Sequence, residues 1–287
     1  MILVQGLLYP RLAMDDTDVY WLDITNQPTL QRTPRTGGAT ATLATLVNSF
    51  TVDTDDVYYD AVEANDAGFA STLYALPKAG GPPVPIAGVG ASSMVVDTTT
   101  LYFLGSPAGA ILGVSKTGGA PVTLTSGTPH AGRLIGVDAT AVYWISGAAP
   151  LTTIWATPKM GGTSSPIAQV PADIRAVALD VDNLYFTTSN QDLVKLSKAS
   201  STLTTLTSGL GENGGDNLAV TSGVVYVNQQ ALGQYPAVIL AVPTDGSAAQ
   251  TTCAGGSMGV SGIAVDATTI VWGLTYEANG TLLSLPR

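Results

Sequence analysis

The stretch Leu12-Ala13-Met14-Asp15-Asp16-Thr17-Asp18-Val19-Tyr20-Trp21-Leu22-Asp23 sets an acidic turn between an apolar triplet and an aromatic run. The aromatic run returns as Val57-Tyr58-Tyr59, Leu101-Tyr102-Phe103, Val142-Tyr143-Trp144, Leu184-Tyr185-Phe186, Val225-Tyr226-Val227 and Ile270-Val271-Trp272. Successive middle residues, beginning at Tyr20, are 38, 44, 41, 42, 41 and 45 positions apart. A unit of this size cannot bury its apolar face alone, and a repeat of about 40–45 residues belongs to propeller blades. Seven copies predict an all-β chain: a seven-bladed β-propeller with four antiparallel strands per blade, forming a single domain over 1–287.

Each unit reads as strands a to d. Five residues before the middle aromatic position stands an aspartate in six copies, namely Asp15, Asp53, Asp97, Asp138, Asp180 and Asp266, with Thr221 in the remaining one. A strand-end aspartate accepts hydrogen bonds from backbone N–H groups just ahead of it and starts a turn. The alternative is an axial ring of metal-binding carboxylates. The three residues before it run large, small, large, as in Ile135-Gly136-Val137. That pattern describes strand a, nearest the axis and buried on both faces, with the small residue making room where blades crowd. Strand b carries the aromatics. Strand c ends at turns such as Pro77-Lys78-Ala79-Gly80-Gly81 and Pro158-Lys159-Met160-Gly161-Gly162, whose glycine pairs supply the positive φ of a tight hairpin. The last copy stops after its strand c, while Met1-Ile2-Leu3-Val4-Gln5-Gly6 matches strand d of copy three, Val122 to Gly127. The N-terminal strand is therefore expected to close the last blade and remove an open edge.

The 45% hydrophobic content, 11% charged residues and 32 glycines exclude disorder and describe a turn-rich β protein. The uncharged stretch Leu218 to Thr244 is broken by Ser222, Gly223, Asn228, Gln229, Gln230, Gly233 and Pro236. It holds no apolar run of about 18 residues, so no membrane insertion is expected. A net charge of -10 and a pI near 4.2 repel phosphate backbones and argue against nucleic acid as a partner. The single Cys253 allows no intrachain disulfide, and the single His130 cannot supply the usual zinc ligand set. Met1 to Gly6 has neither the basic nor the apolar segment of a signal peptide. The lysine-poor, Ser/Thr/Gly-rich composition points to an extracytoplasmic protein, secreted, periplasmic or at the cell surface, whose leader is absent from this chain. A monomer is expected.

With its strand-a aspartate and Tyr-Trp strand b, the unit resembles the YWTD propellers of the low-density-lipoprotein-receptor type, and is most similar to their uncharacterised bacterial members. Tyr20-Trp21-Leu22-Asp23 nearly reproduces the namesake motif and Tyr58-Tyr59-Asp60 does so in part. The resemblance covers the whole chain and implies a fold. It implies no ligand, because fold does not carry function. YWTD propellers have six blades where this chain has seven copies, and most copies lack the motif's final aspartate.

In a propeller the d–a and b–c loops share the face at the mouth of the axial channel, and the a–b and c–d turns occupy the other. Arg35, Lys78, Lys116, Lys159 and Lys198 fall in c–d turns and are expected to be solvating charges. Arg11, Arg133 and Arg175 fall four or five residues before their strand-a aspartate, in d–a loops, with His130 beside Arg133. Guanidinium groups converging there on an acidic protein would hold a carboxylate, sulfate or phosphate. The alternative is that each pairs with Asp173, Glu212 or Asp216 and pins a loop. Tyr9, Tyr235 and Tyr276 are candidate stacking platforms for a sugar or peptide, or pack on neighbouring loops. The ligand-binding candidates are thus Arg11, His130, Arg133, Arg175, Glu212, Asp216, Tyr235 and Tyr276. Two oxygen-rich runs, one from Asp60 to Asp66 and one from Gly209 to Asn217, offer Asp60, Glu63, Asp66, Glu212 and Asp216 as calcium ligands. Neither run has the D-x-D-x-D-G spacing of a dedicated site. No other cofactor is expected.

The chain lacks a G-x-S-x-G elbow, a phosphate-cradling glycine loop and a histidine cluster, and no activated nucleophile accompanies His130. The expected function is a non-catalytic binding module that uses the loop face around the channel to hold a protein, peptide, glycan or small anionic ligand. One alternative is a metal-dependent enzyme of lactonase or lyase type, with Glu212, Asp216, Asn217 and Asn48 around a divalent ion. The other is a structural repeat domain of a surface protein.

Overall fold

The structure, a computed structural model, describes residues 1–7, 12–24, 26–65, 68–105, 109–125, 131–148, 150–211, 214–215, 217–230, 237–254, 259–275 and 280–286. Among them every regular element is a strand, and the 28 strands form seven four-stranded antiparallel sheets. Blade 1 is built of Leu12–Met14, Asp18–Asp23, Thr29–Pro34 and Ala41–Thr45. Blade 4 is built of Ala131–Val137, Ala141–Ala148, Leu151–Pro158 and Ser165–Val170. Strand a of each blade touches strand a of both neighbours, so the seven inner strands form a closed circle. The chain is a seven-bladed β-propeller.

Blade 7 takes Gly259–Val265, Thr269–Thr275 and Gly280–Pro286 from the end of the chain and Ile2–Leu7 from its beginning. Ile2 lies opposite Leu283, Val4 opposite Leu282 and Gln5 opposite Thr281. The Ser284 N–H donates to Met1 O at 2.9 Å.

Apolar burial is organised between blades. Seven buried clusters each span one blade-to-blade interface. Tyr102, Leu104 and Ile111 meet Val142 and Trp144 between blades 3 and 4, and Leu3 and Leu282 meet Val19 and Trp21 where blade 7 joins blade 1. Each sheet is thus covered on both faces by its neighbours, which is why strand b is apolar at consecutive positions. Gly136 shows how tight the fit is: a Cβ there would stand 1.7 Å from Cδ2 of Leu179 on the next blade. The c–d turns take the expected glycine conformations, for instance φ of 82° at Gly161 and 127° at Gly162.

Two expectations change. Strand a is half-buried rather than fully covered, as at Leu12, Ala13 and Met14, because the axis is a channel instead of a packed core. Residues 60–65 are not a loop: strand b of blade 2 continues as Asp56–Asn65 and pairs with strand c, Gly68–Pro77.

Candidate functional site

The strand-a aspartates fix one end of the ring. Asp138 Oδ1 accepts the N–H groups of Thr140 at 2.9 Å and Ala141 at 3.0 Å, the turn expected from its position. Its Oδ2 accepts the Tyr143 hydroxyl at 2.7 Å and the Lys198 ammonium of the next blade at 3.0 Å. The same aspartate–tyrosine bond joins Asp15 to Tyr20, Asp53 to Tyr58, Asp97 to Tyr102 and Asp180 to Tyr185. A bond between these two positions is what the constant spacing of five encodes.

The c–d cations are not the solvating charges expected of them. Lys78 pairs with Asp15 at 2.6 Å, Lys116 with Asp53 at 2.5 Å, Lys159 with Asp97, Lys198 with Asp138 at 3.0 Å, and Arg35 with Asp266 at 2.5 Å. Each pair links one blade to the preceding one, and the Arg35 pair bridges blade 1 to blade 7. A c–d turn overhangs the a–b turn of the blade before it, so its cation reaches an aspartate instead of water. Lys78, Lys116 and Lys198 also lie over the rings of Tyr20, Tyr58 and Tyr143, adding a cation–π attraction. Blade 6 departs from the pattern, with Thr221 at the aspartate position and Thr244 at the cation position.

Burial opposes ionisation of these carboxyls. At Asp15 the Lys78 ammonium, the Asp18 and Thr17 N–H groups and the Tyr20 hydroxyl outweigh it and hold the acid well below the usual carboxylate range. Burial together with Asp97 pushes the Tyr102 phenol up to about 12. The hydroxyl therefore stays a donor to the carboxylate at any physiological pH.

The other end of the channel carries different chemistry. An axial cavity of about 420 Å³ is lined by strand-a residues of all seven blades. Leu12, Phe50, Met94, Ile135, Val177, Leu218 and Ile263 give every blade a large apolar residue in its wall. Arg133 and Arg175 line the same cavity. They lie five positions before Asp138 and Asp180 and so occupy matching places on adjacent blades. At about 3.3 Å per strand residue they stand some 16 Å from the aspartate end. Arg133 Nη2 donates to Arg175 O at 2.7 Å, so the two segments are tied together. Arg133 also lines an adjoining cavity of about 410 Å³ with Ser49, Ser92 and Ser93.

Of the remaining candidates, Arg11, His130, Glu212, Asp216, Tyr9, Tyr235, Tyr276 and Asp66 lie outside the described residues. Asn217, suggested as a metal ligand, donates its amide to Val260 O at 3.0 Å. Asp60 and Glu63 do not converge. They are three apart on one strand and face opposite ways: Glu63 is exposed and accepts the Tyr74 hydroxyl at 2.6 Å, while Asp60 is 2% exposed. Among the described residues no three His, Cys, Asp or Glu side chains gather into a metal-binding group.

Among the described residues Asp60 is the one buried carboxyl. Its Oδ2 accepts the Asn48 amide at 3.0 Å, while Oδ1 has no hydrogen-bond partner. Burial pushes its carboxyl above the ordinary value, the Asn48 amide and the Ala91 N–H offsetting part. A raised folded-state value favours folding only while the acid is protonated, and that support is lost as pH rises from about 4 through the folded value. Asp60→Asn is therefore expected to raise the melting temperature by a few degrees at about pH 7 and to lose that advantage near pH 4. Equal shifts at both pH values in thermal unfolding would contradict this account.

No family model and no curated protein matches the chain. Solved structures similar to it include a chain of a nidogen–laminin complex, at 14% identity and a TM-score of 0.59, covering 91% of this chain and 98% of that one. Puromycin hydrolase matches at 14% identity and a TM-score of 0.64, covering 97% of this chain and 52% of that chain. The tricorn protease matches at 11% identity and a TM-score of 0.52, covering 92% and 28%. The chain thus spans about half of the hydrolase and less of the protease. At these identities the likeness is one of fold, a β-propeller.

Proposed function

We propose that the protein is a non-catalytic binding module whose ligand, a small anion or an anionic group of a protein, peptide or glycan, docks at the d–a end of the channel on Arg133 and Arg175. The observation that carries this reading is that Arg133 and Arg175, from matching positions on adjacent blades, line one cavity at the end of the channel opposite the aspartates. A guanidinium has five donors in a planar fork and can serve a loop carbonyl and an incoming carboxylate together. The acidic body around it, at net -10, makes such a position selective, since anions are repelled elsewhere on the surface.

The test is titration calorimetry with a panel of sulfate and carboxylates against the native chain, Arg133→Ala and Arg175→Ala. A hydrogen bond to a charged group contributes about 1.5–3 kcal/mol, so each variant is expected to bind roughly 10- to 100-fold more weakly. Affinity unchanged in both variants, with their melting temperatures preserved, rules the site out.

A further inference from the structure

We propose that Asp60 gates the seam between blades 2 and 3: the segment 88–93 closes over its carboxyl while the acid carries a proton, and gives way to water when the proton leaves. Asp60 lies opposite Ser49 of strand a and Leu73 of strand c. It is 2% exposed, and its Oδ1 has no hydrogen-bond partner. Ala91, from the segment that leads into blade 3, is 1% exposed and turns both backbone groups toward blade 2. Its N–H meets the Asp60 carboxyl, and its O accepts the Ser49 hydroxyl at 2.6 Å. Ser92 and Ser93 follow directly and, with Ser49, line the cavity of about 410 Å³. Ser49 therefore borders both Asp60 and that cavity, and water has a short way to Oδ1 once Ala91 moves.

The repeat isolates ionisation as what is peculiar to blade 2. The residue at this strand-b position is Leu22, Leu104, Ile145, Thr187, Asn228 or Gly273 in the other copies. In blades 5 and 6 a neutral group there pins a d–a segment: the Thr187 hydroxyl donates to Gly215 O, and Asn228 Oδ1 accepts the Asn217 N–H at 2.9 Å. A neutral side chain is enough to hold such a segment, so a carboxyl adds only a charge that changes with pH. On its own strand Tyr59 and Glu63 lie an odd number of positions away, on the opposite face with Tyr74. Tyr58 shares the face of Asp60 but bonds Asp53 and Asp56 at the far end. Strand a brings Asn48 and Ser49, strand c Leu73 and the next blade Ala91, all uncharged, and Arg133 is the one charged residue lining the adjoining cavity among those described. Ionisation in the closed state is thus opposed by burial and helped by the Asn48 amide and the Ala91 N–H alone. Once wetted, the acid returns toward its ordinary value of about 3.9, so between the two values each pH unit shifts the closed-to-open ratio about tenfold toward open.

The experiment is residue-resolved amide exchange by NMR on the full chain and on Asp60→Asn between about pH 4 and 8, each rate corrected for its intrinsic pH dependence. The Ser92 N–H, bonded to Leu104 O at 3.2 Å, and the Leu104 N–H, bonded to Ser93 O at 3.1 Å, report on the segment. In the native chain their protection is expected to fall at least about tenfold as pH rises, and in Asp60→Asn to stay flat. A flat profile in the native chain overturns the gate, and so does an equal fall in Asp60→Asn. Should the variant fail to fold, the carbon-13 titration of the Asp60 carboxyl in the native chain decides. A midpoint that coincides with the loss of protection supports the gate, whereas one at about 3.9, or one apart from that loss, overturns it.

Discussion

Replacing Asp138 by alanine is expected to cost about 3 kcal/mol and to lower the melting temperature by roughly 5–10 °C. One side chain serves three purposes there: it accepts two backbone N–H groups of its turn, the Tyr143 hydroxyl and the Lys198 ammonium. The turn groups can find water instead. The larger part of the loss comes from Lys198, whose side chain is only 10% exposed and would keep only the Asp180 and Val181 carbonyls as partners, since breaking one partner of a half-buried pair costs more than the pair contributes. Asp16→Ala is the control, because Asp16 is an exposed residue of an equivalent turn and should change stability by no more than about 0.5 kcal/mol. Urea unfolding of both variants checks this. A loss for Asp138→Ala as small as that for Asp16→Ala would show that the ion pairs between blades stabilise nothing.

The pH dependence has a definite sign. The aspartates of this ring, including Asp53, Asp97, Asp138, Asp180 and Asp266, have folded-state values below the ordinary one. Their contribution is complete above the unfolded value of about 3.9 and is lost as pH falls below it toward the folded value. The gap between the native chain and Asp138→Ala should therefore be full at neutral pH and should close in acid. Asp60 runs in the opposite direction, its value raised by burial, so the two variants have opposite pH profiles in one protein.

What could be read from the sequence was local or periodic. The blade count follows from a repeat, the aspartate turn from contacts two and three residues away, and the closing strand from the match between Met1–Gly6 and another copy's strand d. The ion pairs were not legible, because Lys198 and Asp138 are 60 positions apart and meet only once adjacent blades are stacked. Their trace is the recurrence of a cation directly after strand c, which by itself also fits a solvated turn. The common offset of Arg133 and Arg175 from a strand-a aspartate gave their place on the ring, where both line the axial cavity. Asp60 and Glu63 were offered together as calcium ligands from composition, without the strand: in the extended hairpin Asp56–Asn65 and Gly68–Pro77 an odd separation places the two on opposite faces.

Removing residues 1–7 is expected to do more damage than any single substitution, lowering the melting temperature by at least about 15 °C or leaving the chain aggregated. Without Ile2–Leu7, the strand Gly280–Pro286 becomes an unpaired edge, a template for association with other chains. The fully buried Leu282 and Trp21 lose Leu3 from their shared cluster. Leu3→Ala isolates the packing share, about 2–3 kcal/mol for a leucine truncated in a core. The remainder measures the strand's backbone bonds and the closure itself. Calorimetry and gel filtration of the full chain, Leu3→Ala and the truncated chain separate these contributions. Blades touch only their neighbours, so an opened seam leaves two outer faces of a linear array exposed, and fraying can start from either. If the truncated chain melts within a few degrees of the full one and elutes at the same volume, the circle is held by the six remaining interfaces alone and the N-terminal strand does not close it energetically.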